Sequence, residues 1–417
     1  MRLMSLLLVF FLVSCEDNGM VGFIPPCNSE DVCADNACEP ELCEIDSSWF
    51  GLDTLWAMEV DGTGNTMEQS EDFIILSGAE GLDMYIKAFS KADGKQLWSW
   101  TDSRFGWISS VQIHEQTGRV ILQKDKTIIA LNLQSGEKLL EYNPSEYYSE
   151  FTYGYLEEDN YYYYTVESTD RSDKYIIRSA VSDLHNWEII FKLSDFPFEN
   201  ESAVISGMAE YDGNLFFKCG LIGGEAKSYV VSVNVATHDI NWIYEVSGKN
   251  GNNLRQVTIK DNVIYHVAVY GVHALSVHSG ELIWSRIYED NDSYSISRFE
   301  NTIYSQEGNV IWFYTDYIDS DGGALCMDAE TGEVIYDREF NAFDINTVSH
   351  HKGIMYFGSQ RGILYAARTS DGQVLWYTED QIPFGKYYAD CVVLDQEREV
   401  LYGFNGQELV AINIADD

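Results

Sequence analysis

The residues best equipped for chemistry near the start of this chain are cysteines. Cys27, Cys33, Cys38 and Cys43 fall within residues 16–46, a stretch with nine acids and no Lys or Arg. Thiols this close together either pair with one another or hold zinc. Their gaps of five, four and four residues match the Cys-x2–4-Cys pattern of structural zinc only in part, and no histidine is near. Two disulfides are therefore expected, with three pairings open. A second candidate is Asp319-Ser320-Asp321-Gly322-Gly323, with Glu330 eleven residues after Asp319, as in a calcium loop. Gly323 stands where such a loop needs an oxygen ligand and Ala324 where it needs glycine, so a solvated loop is the expectation. Asp290-Asn291-Asp292 reads the same way. His350-His351 has no ligand at metal spacing beside it and reads as a strand end; the other histidines are scattered. No His-Glu-x-x-His, Gly-x-Ser-x-Gly or P-loop occurs. Among 67 acids a glycosidase pair has no specific support.

Aromatic runs are the remaining candidates. Tyr161 to Tyr164 and Trp312-Phe313-Tyr314 read as strands, where side chains alternate faces and packing accounts for them. Trp107, Tyr147, Tyr148 and Tyr388 sit at loop or strand-entry positions and form a candidate ligand rim, able to stack on sugars or meet a protein.

Met1-Arg2 opens onto an apolar run from Leu3 to Val13, too short to span a bilayer, which needs about 20 residues, and long enough for a signal peptide. It ends in Leu12-Val13-Ser14-Cys15, which resembles the lipobox of bacterial lipoproteins. That resemblance implies cleavage before Cys15 and acylation of its thiol. Acyl chains contribute ~0.8 kcal/mol per buried methylene, so several make a stable anchor. The expected division is a signal peptide over 1–14, a lipidated acidic stalk over 15–48 and a folded domain over 49–417. Export also makes the environment disulfide-permissive.

The net charge of −41 excludes the counterion-release binding on which nucleic-acid recognition depends. Anionic lipid headgroups would repel the same surface, so membrane attachment is expected through the anchor alone.

The folded part is organised by a recurring phrase: a small residue, a turn, and a large side chain ten residues on. It reads AFSKADGKQLW from Ala88 to Trp98, ALNLQSGEKLL from Ala130 to Leu140 and ALSVHSGELIW from Ala274 to Trp284. CMDAETGEVIY runs from Cys326 to Tyr336 and AARTSDGQVLW from Ala366 to Trp376. Weaker copies are Ile177 to Trp187, with Asp183 at the glycine position, and Ser232 to Trp242, with His238 there. The chain ends partway through an eighth copy, Ala411 to Asp417, and Leu52 to Val60 supplies its missing strand with Trp56 in the aromatic role. Trp56 to Trp98, Trp98 to Leu140 and Trp242 to Trp284 are each 42 residues. Self-similarity at that period, in short β-branched and aromatic runs, specifies a repeat architecture built of strands. The expectation is an all-β, eight-bladed β-propeller of four-stranded antiparallel blades, closed by an N-terminal strand that completes the last blade. Trp56, Trp98, Leu140, Trp187, Trp242, Trp284, Tyr336 and Trp376 are expected to pack between blades.

Cys326-Met327-Asp328-Ala329-Glu330-Thr331-Gly332 is the copy closest to the PQQ-like β-propeller repeat, which these phrases resemble from about residue 50 to the end. Quinoprotein dehydrogenases with such repeats carry adjacent cysteines against the quinone, and this chain has none. PQQ is therefore not expected, calcium has no specific support, a quinone- or calcium-dependent enzyme is the least favoured reading, and no catalytic residue is assigned. Lipobox and propeller together are similar to the lipoprotein of the outer-membrane barrel-assembly machine. That resemblance implies a monomeric, non-enzymatic scaffold, lipid-anchored at the outer membrane, that binds cell-envelope proteins. A glycan-binding surface lipoprotein using the aromatic rim is the alternative.

Overall fold

The computed structural model describes Gly22–Phe23 and most of residues 53–415. Eight antiparallel sheets follow one another along the chain. Blades 1 to 4 occupy residues 63–102, 108–142, 148–192 and 202–246, and blades 5 to 7 occupy 258–287, 296–340 and 345–377. Blade 8 takes three strands from 391–413 and its outermost strand, Asp53–Glu59, from the other end of the chain. Trp56 lies opposite Ala411 in that sheet, as the split eighth repeat requires. Blade 7 gains a short fifth strand, Gly22 pairing with Tyr377 and Phe23 with Trp376.

The first strand of every blade touches the first strand of the next, and Cys391–Asp395 of blade 8 touches Thr63–Gln69 of blade 1. The ring is therefore closed, and only outermost strands are left as edges. Polar stitching marks the seam where blades 8 and 1 meet. Lys91 and Asp395 form an ion pair of 2.8 Å, both nearly buried, and Arg398 holds the same carboxylate at 2.9 Å. Gln69 donates to the Leu394 carbonyl at 2.6 Å.

Each blade is covered on both faces, so its middle strands are apolar throughout. Ile74 and Leu76 point into the core shared with blade 8, while Ile75 points into the core shared with blade 2. The tyrosine run obeys the same rule: Tyr162 and Tyr164 fill the core between blades 2 and 3, and Tyr163 that between 3 and 4. Packing accounts for all three. Cys219 and Cys326 are buried in separate cores, and burial pushes the Cys219 thiol up to about 12. Cys326 stands opposite Tyr336 where other copies carry alanine, a site closed by strands on both sides.

The repeated phrase is a docking device. The Trp98 indole donates to the Leu133 carbonyl of blade 2 at 2.9 Å. Trp56 reaches Lys91 at 3.0 Å, Trp242 reaches Val277 at 3.0 Å, and Trp284 reaches Ala329 at 2.9 Å, each in the next blade. The turn glycine lies flat against the ring. A Cβ added at Gly136 would fall 2.5 Å from Trp98, and one at Gly332 would fall 2.6 Å from Trp284. These glycines also have φ of +69° and +70°, a region that side chains resist. Trp376 is buried with no partner for its indole nitrogen among the described residues.

Blade 3 departs from the expected frame. Ala180 pairs with Asp183, so the turn is Val181-Ser182 and Asp183 begins the outer strand. The pair equivalent to Ala88 and Trp98 is Arg178 and Glu188, also ten residues apart, so the phrase lies one residue later than Ile177 to Trp187 and the faces are exchanged. Trp187 consequently packs back on the core between blades 2 and 3 instead of docking on blade 4. Arg178 and Glu188 now face each other at the position that Ala88 and Trp98 hold in blade 1. Glu188 meets His238, the residue at the next turn, at 3.6 Å. A polar contact thus replaces the Trp–Gly contact at this seam, and His238 adopts φ +62° without being glycine. Leu140 also differs from the aromatics: it packs beside Val181 and Leu184, a smaller residue against the shorter turn.

Candidate functional site

Cys15, Cys27, Cys33, Cys38, Cys43, Trp107, Tyr147 and Tyr388 lie outside the described residues, as does the Tyr148 side chain. The anchor, the disulfides and the aromatic rim therefore remain expectations. Of the calcium-loop candidate, Gly322–Asp328 is a strand, and the Asp328 carboxylate caps the following turn by accepting from the Glu330 and Thr331 amides. Those bonds hold the Asp328 carboxyl below its ordinary value, with the Thr331 hydroxyl as the largest cause. That geometry makes a blade turn and no ion-binding loop from 322 onward. His351 ends the innermost strand of blade 7 and stands 3.4 Å from Glu399 of blade 8.

The outer circumference carries a feature that the residue-by-residue search missed. Leu55, Leu97, Leu139, Ile283 and Ile335 are 45–52% exposed, and each directly precedes a seam residue: Trp56, Trp98, Leu140, Trp284 and Tyr336. Because side chains alternate along a strand, burying the seam residue turns its predecessor outward. The outcome is a belt of aliphatic groups at one level on blades 8, 1, 2, 5 and 6, widened on blade 5 by Leu282 and Ile287 and on blade 6 by Val334. Outside blade 7, these strands hydrogen-bond on one side only among the described residues. Unpaired edge amides beside exposed aliphatic groups are the physical makings of a protein-docking surface. The signal was present in the phrase itself, as an aliphatic residue before the docking side chain.

Inside the ring, Glu68 lies on the innermost strand of blade 1, where burial pushes its carboxyl up to about 7. A carboxyl titrating near neutrality suits proton transfer. Among the described residues, however, no three His, Cys, Asp or Glu side chains are placed to hold a metal ion. Cys219 and Cys326 lie on blades 4 and 6, in different cores. No helix among them is long and apolar enough to cross a membrane.

The sequence profile described as outer membrane protein assembly factor BamB matches residues 210–378 and 313–416. No curated protein sequence matches the chain. Three similar solved structures show how widely the fold is shared. BamB from Moraxella catarrhalis aligns with a TM-score of 0.57 at 11% identity, covering 88% of this chain and 98% of its own. Quinohemoprotein alcohol dehydrogenase from Comamonas testosteroni gives 0.63 at 12%, covering 87% and 76%. The computationally designed Ika8 protein gives 0.59 at 13%, covering 86% and 99%. At such identities the likeness is one of fold, and that fold hosts both an assembly factor and a dehydrogenase. The matched repeats and the closed eight-bladed ring together make this chain a PQQ-like β-propeller similar to BamB.

Proposed function

We propose that the protein is a non-enzymatic, lipid-anchored scaffold of the outer membrane that binds cell-envelope proteins, acting in outer-membrane protein assembly. The observation that carries this reading is the outer belt: edge strands that pair on one side only among the described residues, flanked by Leu55, Leu97, Leu139, Ile283 and Ile335. Sequence similarity to BamB over the second half of the chain supports it. The anchor at Cys15 would hold the propeller at the membrane while the acidity of the chain, net charge −41, keeps the body off anionic lipid. A partner would add a strand to an open edge, its backbone supplying affinity and the aliphatic neighbours setting register.

The test places a photo-activated cross-linking residue at Leu97 or Ile283 in intact cells. The reading requires adducts to an outer-membrane assembly protein from either site, and their loss on Ile335→Lys for the Ile283 site. Adducts formed equally well from Leu82, an exposed turn residue off the belt, would sink it. Fatty-acid labelling that persists in Cys15→Ala would remove the anchor.

A further inference from the structure

At the seam between blades 4 and 5, two neighbouring positions break the internal repeat. Counting from the first residue of each second strand, the fourth position faces the preceding blade. It is Leu76, Leu122, Tyr164, Phe217, Trp312 or Phe357 in six blades and Gly403 in blade 8. In blade 5 it is His266. The residue opposite His266 on the third strand is His273, at a level filled by Ile129, Ile177, Val231, Leu325, Tyr365 and Val410 elsewhere. Blade 1 has Lys87 there, which is satisfied by the Asp61 carbonyl at 2.8 Å.

The two imidazoles are wholly buried, with ring centres 6.0 Å apart. Among the described residues, neither nitrogen of His266 has a hydrogen-bond partner, nor has Nε2 of His273. A buried polar group left unpaired costs about 1–3 kcal/mol, so apolar side chains like those of the other seams would be the more stable filling. Nδ1 of His273 shares a 3.2 Å hydrogen bond with the Tyr244 hydroxyl of blade 4. A phenol is the better donor of that pair, which assigns the ring proton of His273 to the free Nε2. His266 carries one N–H in either tautomer. The seam therefore presents two N–H donors without acceptors. Lys218 of blade 4, nearly buried, adds a positive charge that acts on His266. Burial, and then that charge, hold His266 well below its ordinary pKa, and burial takes His273 to about 4. Both rings are neutral donors at pH 7. A cation would need lone pairs where these rings offer hydrogens and would lie beside an ammonium group. A water could accept from the rings but gains little from the charge.

We propose that the seam between blades 4 and 5 binds a small inorganic anion of the size of chloride, held by the N–H groups of His266 and His273 beside Lys218. Occupancy clamps blade 5 to blade 4. The test measures thermal unfolding of the purified protein at pH 7 as sodium gluconate is replaced by sodium chloride or bromide at constant ionic strength. Each tenfold increase of free halide above its dissociation constant should raise the folding constant tenfold. The same series on His266→Phe, a residue native at this level in blades 4 and 7, and on His273→Val, native in blade 4, should be flat. Crystals grown in bromide should show an anomalous peak between the two rings. Equal halide dependence in wild type and both variants, a peak elsewhere, an ordered water alone, or stabilisation by zinc and not by halide would each overturn the proposal.

Discussion

Replacing Gly332 with alanine isolates the contact that joins one blade to the next. Its φ of +70° is a left-handed conformation that costs an alanine about 1–2 kcal/mol. Alanine's stiffer unfolded chain returns ~0.5–1 kcal/mol of that. The new methyl would also lie 2.6 Å from Cε3 and 2.7 Å from Cδ2 of Trp284, well inside contact distance. The indole must shift, an overpacking cost of about 1–3 kcal/mol. Its 2.9 Å hydrogen bond to Ala329 weakens as well, worth about 1 kcal/mol. Together these destabilise by roughly 2–5 kcal/mol. Gly118 supplies the control: φ is +62°, yet a Cβ there meets nothing within 4 Å, so Gly118→Ala should lose no more than about 1 kcal/mol. Urea unfolding followed by tryptophan fluorescence measures both. If Gly332→Ala is no worse than Gly118→Ala, docking of the aromatic on the turn is not what couples the blades.

Three other outcomes follow from the same geometry. His238→Gly should stabilise by ~0.5 kcal/mol, because relief of the φ +62° conformation exceeds the exposed contact to Glu188 that is lost; a lower melting temperature would count against the reading of that turn. Glu68 has a folded pKa of about 7, above its unfolded value, so its ionisation opposes folding at high pH and the protein gains stability as pH falls from 8 to 4.5. Glu68→Gln should thus be about 3 kcal/mol more stable than wild type at pH 8 and equal to it at pH 4, and a constant difference across that range would exclude the assignment. Asp395→Asn leaves Lys91 buried without its counter-ion at the closing seam and should cost about 3–5 kcal/mol by denaturant titration, where a loss under 1 kcal/mol would mean the ion pair contributes little.

The architecture was legible because the repeat binds local and tertiary signals to the same residues. A glycine that must turn with positive φ is also the surface on which the previous blade's indole rests, so Gly94, Gly136, Gly280 and Gly332 mark both turn and seam. Sharing of the eighth sheet by the two chain ends followed from the split phrase. Blade 3 is misaligned by the pattern because a tryptophan, Trp187, stands one residue before Glu188, the true equivalent of Trp98; pairing of Arg178 with Glu188 shows the register. The search for ligand surfaces looked for aromatic residues, whereas the exposed belt is aliphatic and alternates with the buried seam residues. His266 and His273 were dismissed as scattered because seven residues separate them in sequence, and only the hairpin sets them opposite each other.

Ring closure can be measured directly by oxidising a cysteine pair placed at Asp53 and Asn413, which face each other in blade 8 and now share a 2.8 Å hydrogen bond. The background carries serine at Cys15, Cys27, Cys33, Cys38 and Cys43. A closed propeller predicts rapid disulfide formation, a cross-linked peptide joining the two positions in mass spectrometry, and a gain on the order of 5 kcal/mol from closing so long a loop. Thiols at 53 and 413 that stay free under the same oxidation would show that the two ends of the chain do not share a sheet.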